Sequence, residues 1–266
     1  MLTFIGLGLY DERSITVEGR EAIADADEVF AEFYTSKLIG ADVADLEVFH
    51  GTDIDVRDRP GVEQDPEDIL AAAESGHAAF LTAGDTMIST THVDLRLRAE
   101  DRGIDTRVIH APTAESAASG LTGLQNYRFG KATTLPFEYA HGADGLPASV
   151  IDVLDDNRER GLHTLVYLDI KVGWNPRKEV ETEDEYMSAT HAAALLADGY
   201  DDVFAVVVAR AGSPDPLVEA DRLSALAERD FGDPLHLLVI PGELHHIEAE
   251  ALESLAGAPS ELLDIV

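Results

Sequence analysis

The chain of 266 residues is 45% apolar and contains no cysteine. It can therefore bury a full core without staples, and disulfides, thiolate metal sites and a cysteine nucleophile are excluded. Fifty-two acidic against nineteen basic side chains leave a formal charge of -33, which argues against nucleic-acid binding, since that needs a basic surface.

Self-repulsion of this size is relieved at molar salt, where the Debye length falls to about 3 Å. The acids are spread along an apolar-rich chain rather than gathered in a tail, so the charge reads as adaptation to a salty cytoplasm, as in a haloarchaeon. The first residues, MLTFIGLGLYDERS, lack a basic segment followed by a long apolar core, so no signal peptide is expected. The longest apolar run, Val203 to Ala209, is far short of the ~20 residues a membrane span needs. A soluble, cytoplasmic protein without a membrane partner is expected.

In chain order, Leu2 to Gly8 reads as a strand ending in glycines, and Thr16 to Ala24 as a helix capped by Thr16. Glu28 to Phe33 is a second strand. Asp65-Pro66-Glu67 opens a helix to Ser75, with Pro66 suited to the first helical position. A buried strand from His77 to Thr82, a helix from Thr91 to Arg102 and a strand from Thr106 to His110 come next. This alternation implies βαβ units and a parallel sheet.

A second α/β unit is expected to begin near Pro112 and Thr113, giving domains 1–112 and 113–266, with a ligand cleft between them. Its helices are expected at Glu115 to Leu124, Ala148 to Arg160, Asp184 to Ala197, Leu217 to Asp230 and Glu243 to Ala256. Its strands are His163 to Asp169, Asp202 to Ala209 and His236 to Ile240, and Gly130 to Pro147 is a Gly- and Pro-punctuated connection.

Gly6-Leu7-Gly8 lacks the third glycine of a dinucleotide fingerprint, because position 11 is Asp11. Small residues at a strand end still let a ligand approach the backbone. Asp85, in Ala83-Gly84-Asp85, either serves a ligand at the sheet edge or caps the next helix. Asp230-Phe231-Gly232 has none of the companion motifs of a kinase. His245-His246 with Glu248 is not a zinc spacing, and no metal site is expected. His236 reads either as a satisfied strand-edge residue or as a ligand contact.

Together, FIGLGLYDERSIT (from Phe4), VFAEFYTS (from Val29), FLTAGD (from Phe80), TTHVDLRLRA (from Thr90), VIHAPT (from Val108), GLHTLVYLDIK (from Gly161), ARAGS (from Ala209) and FGDPLHLLVIPGELH (from Phe231) occur in this order. The chain resembles the diphthine synthase family, relatives of the tetrapyrrole methyltransferases, along nearly its whole length.

The resemblance implies a two-domain α/β methyltransferase, usually a homodimer, that binds S-adenosylmethionine between its domains. Its implied substrate is translation elongation factor 2, at a histidine carrying a 3-amino-3-carboxypropyl group whose amine is methylated to diphthine, toward diphthamide. Carried over by motif, the cofactor contacts are Leu9, Asp85, Ile88, Thr113, Ala114, Leu168, Ala211 and His236; no catalytic residue is implied. Thr86 stands where relatives commonly have proline, which leaves the turn less rigid. Thr113-Ala114 replaces what is often a Ser and a larger apolar residue. Two other readings stay open: a methyltransferase of tetrapyrroles, and a non-catalytic adaptor on the same fold.

Overall fold

The computed structural model describes residues 1–140, 145–172, 174–175, 180–181 and 184–263. Part of the Gly130 to Pro147 connection, residues 141–144, lies outside them. The chain divides into two compact units, Met1–Thr113 and Ala114–Val266.

In the first unit, apolar β-formers build β1 (Leu2–Gly6), β2 (Glu28–Glu32), β3 (Asp55–Val56), β4 (Ala78–Thr82) and β5 (Thr106–Ile109). They alternate with α1 (Val17–Ala24), α2 (Val43–His50), α3 (Glu67–Ser75) and α4 (Val93–Asp101). The sheet has the order β3-β2-β4-β1-β5 and every pairing is parallel. Thr16 caps α1 as expected, accepting from Gly19 N.

Pro66 is placed differently. It stands one position before α3, after a π-helical turn over Pro60–Gln64, so it flanks the helix rather than opening it.

The two faces of this sheet carry separate cores. Ile5, Leu7, Val29, Ala31 and Leu81 pack with Ile23 of α1 and Leu46 of α2. Leu2, Phe4, Phe30 and Phe80 pack with Ile69 and Leu70 of α3 and Leu95 and Ala99 of α4. The chain therefore leaves β1 toward one face and β4 toward the other, as right-handed crossovers require when successive steps along the sheet change direction.

The second unit opens with α5 (Ala114–Thr122), β6 (Thr133–Leu135), α6 (Ala148–Glu159) and β7 (Thr164–Leu168). Two short antiparallel ribbons come next, β8 (Ile170–Lys171) with β11 (Glu185–Tyr186) and β9 (Trp174–Asn175) with β10 (Val180–Glu181). After them come α7 (Ala189–Gly199), β12 (Phe204–Ala209), β13 (Leu217–Arg222), α8 (Leu223–Leu226), β14 (His236–Ile240) and α9 (His246–Ala256). The main sheet has the order β13-β12-β14-β7-β6, and only the β6–β7 pairing is parallel.

The structure corrects two sequence expectations in this unit. The helix expected from Asp184 begins only at Ala189, behind a Ser188 cap, because Glu185 and Tyr186 pair with β8. The helix expected over Leu217 to Asp230 is a strand followed by one short helix. The loop after Ala209 is too short for a parallel crossover, so the chain folds back as a hairpin. Val218 and Ala220 then pack with Val206 and Val208 on one face of the sheet.

Candidate functional site

At the carboxyl edge of the first sheet, β1 and β4 are neighbours whose exits run to opposite faces. That divergence defines a topological switch point, where open parallel sheets bind their ligands. Gly8 and Gly84 meet there in a backbone bridge, with Gly8 N donating to Gly84 O at 3.1 Å and Gly84 N to Gly8 O at 2.7 Å. Gly84 has φ +74, and a Cβ built on it would meet nothing within 4 Å. Backbone at this point of the edge is open to a ligand.

Asp85 joins two strand exits. Its carboxylate is buried and accepts from Met87 N at 2.9 Å, His110 Nδ1 at 2.8 Å and Ala111 N at 3.1 Å. It thus ties the turn after β4 to the residues leaving β5. No helix begins directly after it, so the carboxylate closes a turn rather than capping a helix.

A second clamp lies beside it. His92 Nδ1 is 3.0 Å from the Thr86 carbonyl, which can only accept, so Nδ1 carries a proton. Its Nε2 has no hydrogen-bond partner, and Glu32 Oε1 stands 3.3 Å away. Glu32 itself accepts from Tyr34 N and Thr35 N, both at 3.0 Å, and from the Thr35 hydroxyl. Burial raises the Glu32 carboxyl above its ordinary range and lowers the His92 imidazole, which favours the neutral form of both.

Of the residues named from sequence, Leu9 lies one position past the glycine bridge, and its N–H donates to Ser14 Oγ at 2.8 Å. Ile88 is exposed on the turn that Asp85 closes. Thr113 lies just beyond His110 and Ala111 and ends the first unit.

In the second unit, Ala114 opens α5, which packs on β12 and β14. Leu168, His236 and Ala211 come to one edge of that sheet, since β7 ends, β14 starts and β12 ends there. Both ring nitrogens of His236 are engaged inside the chain. Ala189 N donates to Nδ1 at 3.0 Å, so Nε2 holds the proton and donates to Asp233 O at 2.9 Å. Burial lowers this imidazole, consistent with a neutral ring. It is a satisfied histidine that offers a ligand its ring face and backbone. It lines a concavity of about 440 Å³ with Ser188, Thr190, Phe231 and Gly232. Another, of about 370 Å³, lies at the opposite sheet edge, where Arg158 and Arg222 already contact Asp201 and the Asp202 carbonyl.

Sequence reading missed the partners of Asp85 and one backbone feature. Tyr10, Ser89 and Arg210 are non-glycine residues with φ of 71°, 55° and 51°. The first two directly follow Leu9 and Ile88, and the third directly precedes Ala211. Such backbone is costly and concentrates at functional sites. Among the described residues no group of three or more His, Asp or Glu could hold a metal ion. None of their helices is long and apolar enough to cross a membrane.

The profile of the tetrapyrrole (corrin/porphyrin) methylases matches residues 1–227, which makes the chain an S-adenosylmethionine-dependent methyltransferase of that class. A diphthine synthase of Halorubrum lacusprofundi is 76% identical over 264 residues, covering 99% of this chain and 100% of the relative. One of Methanosarcina acetivorans is 47% identical over 274 residues, covering 99% of each. A crystal structure of diphthine synthase superposes with a TM-score of 0.89 at 39% identity, covering 100% of this chain and 99% of that one. The chain belongs to the diphthine synthase family.

Proposed function

We propose that this protein trimethylates the amine of the 3-amino-3-carboxypropyl group on a histidine of elongation factor 2, giving diphthine. The observation that carries the reading is full-length identity to diphthine synthases at 76%. The open backbone at Gly84 and the closed turn at Asp85 fit a small ligand at the switch point. Leu9, Asp85, Ile88 and Thr113 of the first unit are proposed contacts for S-adenosylmethionine, as are Ala114, Leu168, Ala211 and His236 of the second.

When bound, S-adenosylmethionine supplies an activated methyl on a sulfonium, so no nucleophilic side chain is required. The protein's work is alignment of nitrogen, carbon and sulfur, an effect that supplies up to ~7–11 kcal/mol in well-oriented systems. The amine must lose a proton before each of the transfers, while the final product keeps a fixed positive charge.

Mass spectrometry of elongation factor 2 bearing the aminocarboxypropyl-histidine, after incubation with the protein and S-adenosylmethionine at molar KCl, tests the assignment. A stepwise gain of methyl masses on that peptide is expected. No gain, with S-adenosylmethionine still bound, would shift the reading to a tetrapyrrole substrate. We further propose a homodimer. Light scattering in the same salt is expected to return twice the 28.7 kDa chain mass, and a monomer would end that proposal.

A further inference from the structure

The arrangement at Asp85 has a chemical consequence beyond holding two loops together. His110 donates Nδ1–H to the Asp85 carboxylate at 2.8 Å, while its side chain is 70% exposed and that of Asp85 only 3%. A carboxylate is acceptor-only, so the neutral ring keeps its proton on Nδ1 and its lone pair on Nε2. No hydrogen bond reaches Nε2 among the described residues. Asp85 in turn is held by Met87 N and Ala111 N, which fixes the direction of the ring. A buried carboxylate orienting a histidine whose far nitrogen is free is how an imidazole is prepared to take a proton.

We propose that His110, oriented by Asp85, is the proton acceptor for the substrate amine before each methyl transfer. The inference rests on the proposed methyltransferase function. In each cycle the ammonium gives its proton to Nε2, and the freed nitrogen lone pair forms the new N–C bond. The methyl–sulfur bond breaks with its electron pair left on sulfur, and Nε2 releases the proton to water. Three cycles release three protons in this way, and the quaternary product has none left to give. His110 directly follows β5 at the carboxyl edge of the parallel sheet, and β5 pairs with β1, which leads into the glycine bridge, where a ligand at the switch point would lie.

The test compares wild type with His110→Ala and His110→Gln in molar salt, using S-adenosylmethionine and elongation factor 2 bearing the aminocarboxypropyl-histidine. The residue is exposed, and both variants are expected to fold and to bind S-adenosylmethionine by calorimetry within about twofold of wild type. Their methylation rate at saturating substrates is expected to fall roughly 100-fold near neutral pH, the lower range of general-base catalysis. Added imidazole is expected to restore part of the rate in His110→Ala. The gap should also close as pH rises through the range where the amine deprotonates itself.

The charged group facing the ring is Asp85, from the β4 exit. Nitrogen NMR of the free protein gives a reading independent of turnover, with the His110 ring expected as the Nδ1–H tautomer. Variants as fast as wild type would overturn the proposal, as would a loss confined to KM without imidazole rescue or an Nε2–H tautomer. A wild-type protein that binds S-adenosylmethionine but never methylates would remove the functional reading and this inference with it.

Discussion

Replacing Glu248 by alanine is expected to lower stability by roughly 3–5 kcal/mol, because three N–H donors would lose the acceptor they share, at about 1–3 kcal/mol for each that stays unsatisfied. The side chain is fully buried at the start of α9. Its oxygens accept from Gln125 N and His245 N, both at 2.9 Å, and from His163 Nε2 at 3.1 Å. His163 is itself fixed, because Gly242 N donates to its Nδ1 at 3.0 Å and so leaves the proton on Nε2. One carboxylate thus joins the loop after α5, the approach to β7 and the first turn of α9. Alanine would leave the buried His163 Nε2–H and two part-buried backbone N–H groups without an acceptor, and the cost is largest at His163, where water cannot substitute.

The same cluster sets a pH dependence. Burial works to raise the Glu248 carboxyl, but the donors of Gln125, His245 and His163 outweigh it and hold it below its ordinary range. The unfolded chain therefore binds that proton more readily, so the contribution is present above the unfolded value near 4.3 and fades as pH falls through the folded one. Burial also lowers the His163 imidazole. Its neutral form favours folding above about 6.5, and that contribution is lost as pH falls below it. Thermal unfolding in molar salt should show both acid limbs in wild type and lack the carboxylate limb in Glu248→Ala. A midpoint within a degree or two of wild type, instead of roughly 10 °C lower, would show that the cluster carries little.

The first sheet was legible because each of its longer strands is a short apolar run bounded by a helix with its own period. Thr16, for example, announces α1 by side-chain chemistry alone. Two elements there escaped. α2 is announced only by the reciprocal cap of Asp42 and Asp45, and β3 is two exposed residues whose pairing depends on β2. In the second unit, Leu217 to Leu226 carries apolar residues at spacings that suit a helix. Hairpin pairing with β12 decided otherwise, which is long-range packing overriding local pattern.

The site divides along the same line. Asp85 could be singled out because it follows a strand at a turn. Its partner His110 lies 25 residues away and reaches it only because β4 and β5 flank β1 on opposite sides. The left-handed backbone at Tyr10, Ser89 and Arg210 has no mark in composition, since none of the three residue types demands it.

Gly6→Val is expected to cost the protein most of its S-adenosylmethionine affinity, about 10- to 100-fold, with a stability loss of about 1–3 kcal/mol. A Cβ at this position would stand 2.6 Å from the Gly84 carbonyl oxygen and 2.7 Å from Ala111 Cβ. Neither neighbour is the free end of a flexible side chain. Gly84 is locked to Gly8 by two backbone hydrogen bonds, and Ala111 N is locked to Asp85.

Any β-carbon on Gly6 must therefore push the exits of β4 and β5 away from β1, which deforms the edge proposed to receive the ligand. Even Gly6→Ala should show most of the effect, because the collision is with Cβ itself. Gly120→Ala is the control. It sits exposed in α5, where a Cβ would meet nothing within 4 Å, and it is expected to gain about 0.5–1 kcal/mol of stability with affinity unchanged. Calorimetric titration of the three variants decides the matter. If Gly6→Ala binds S-adenosylmethionine as wild type does, then either the strand exits part freely or the ligand lies elsewhere on the protein, and the switch-point assignment goes with it.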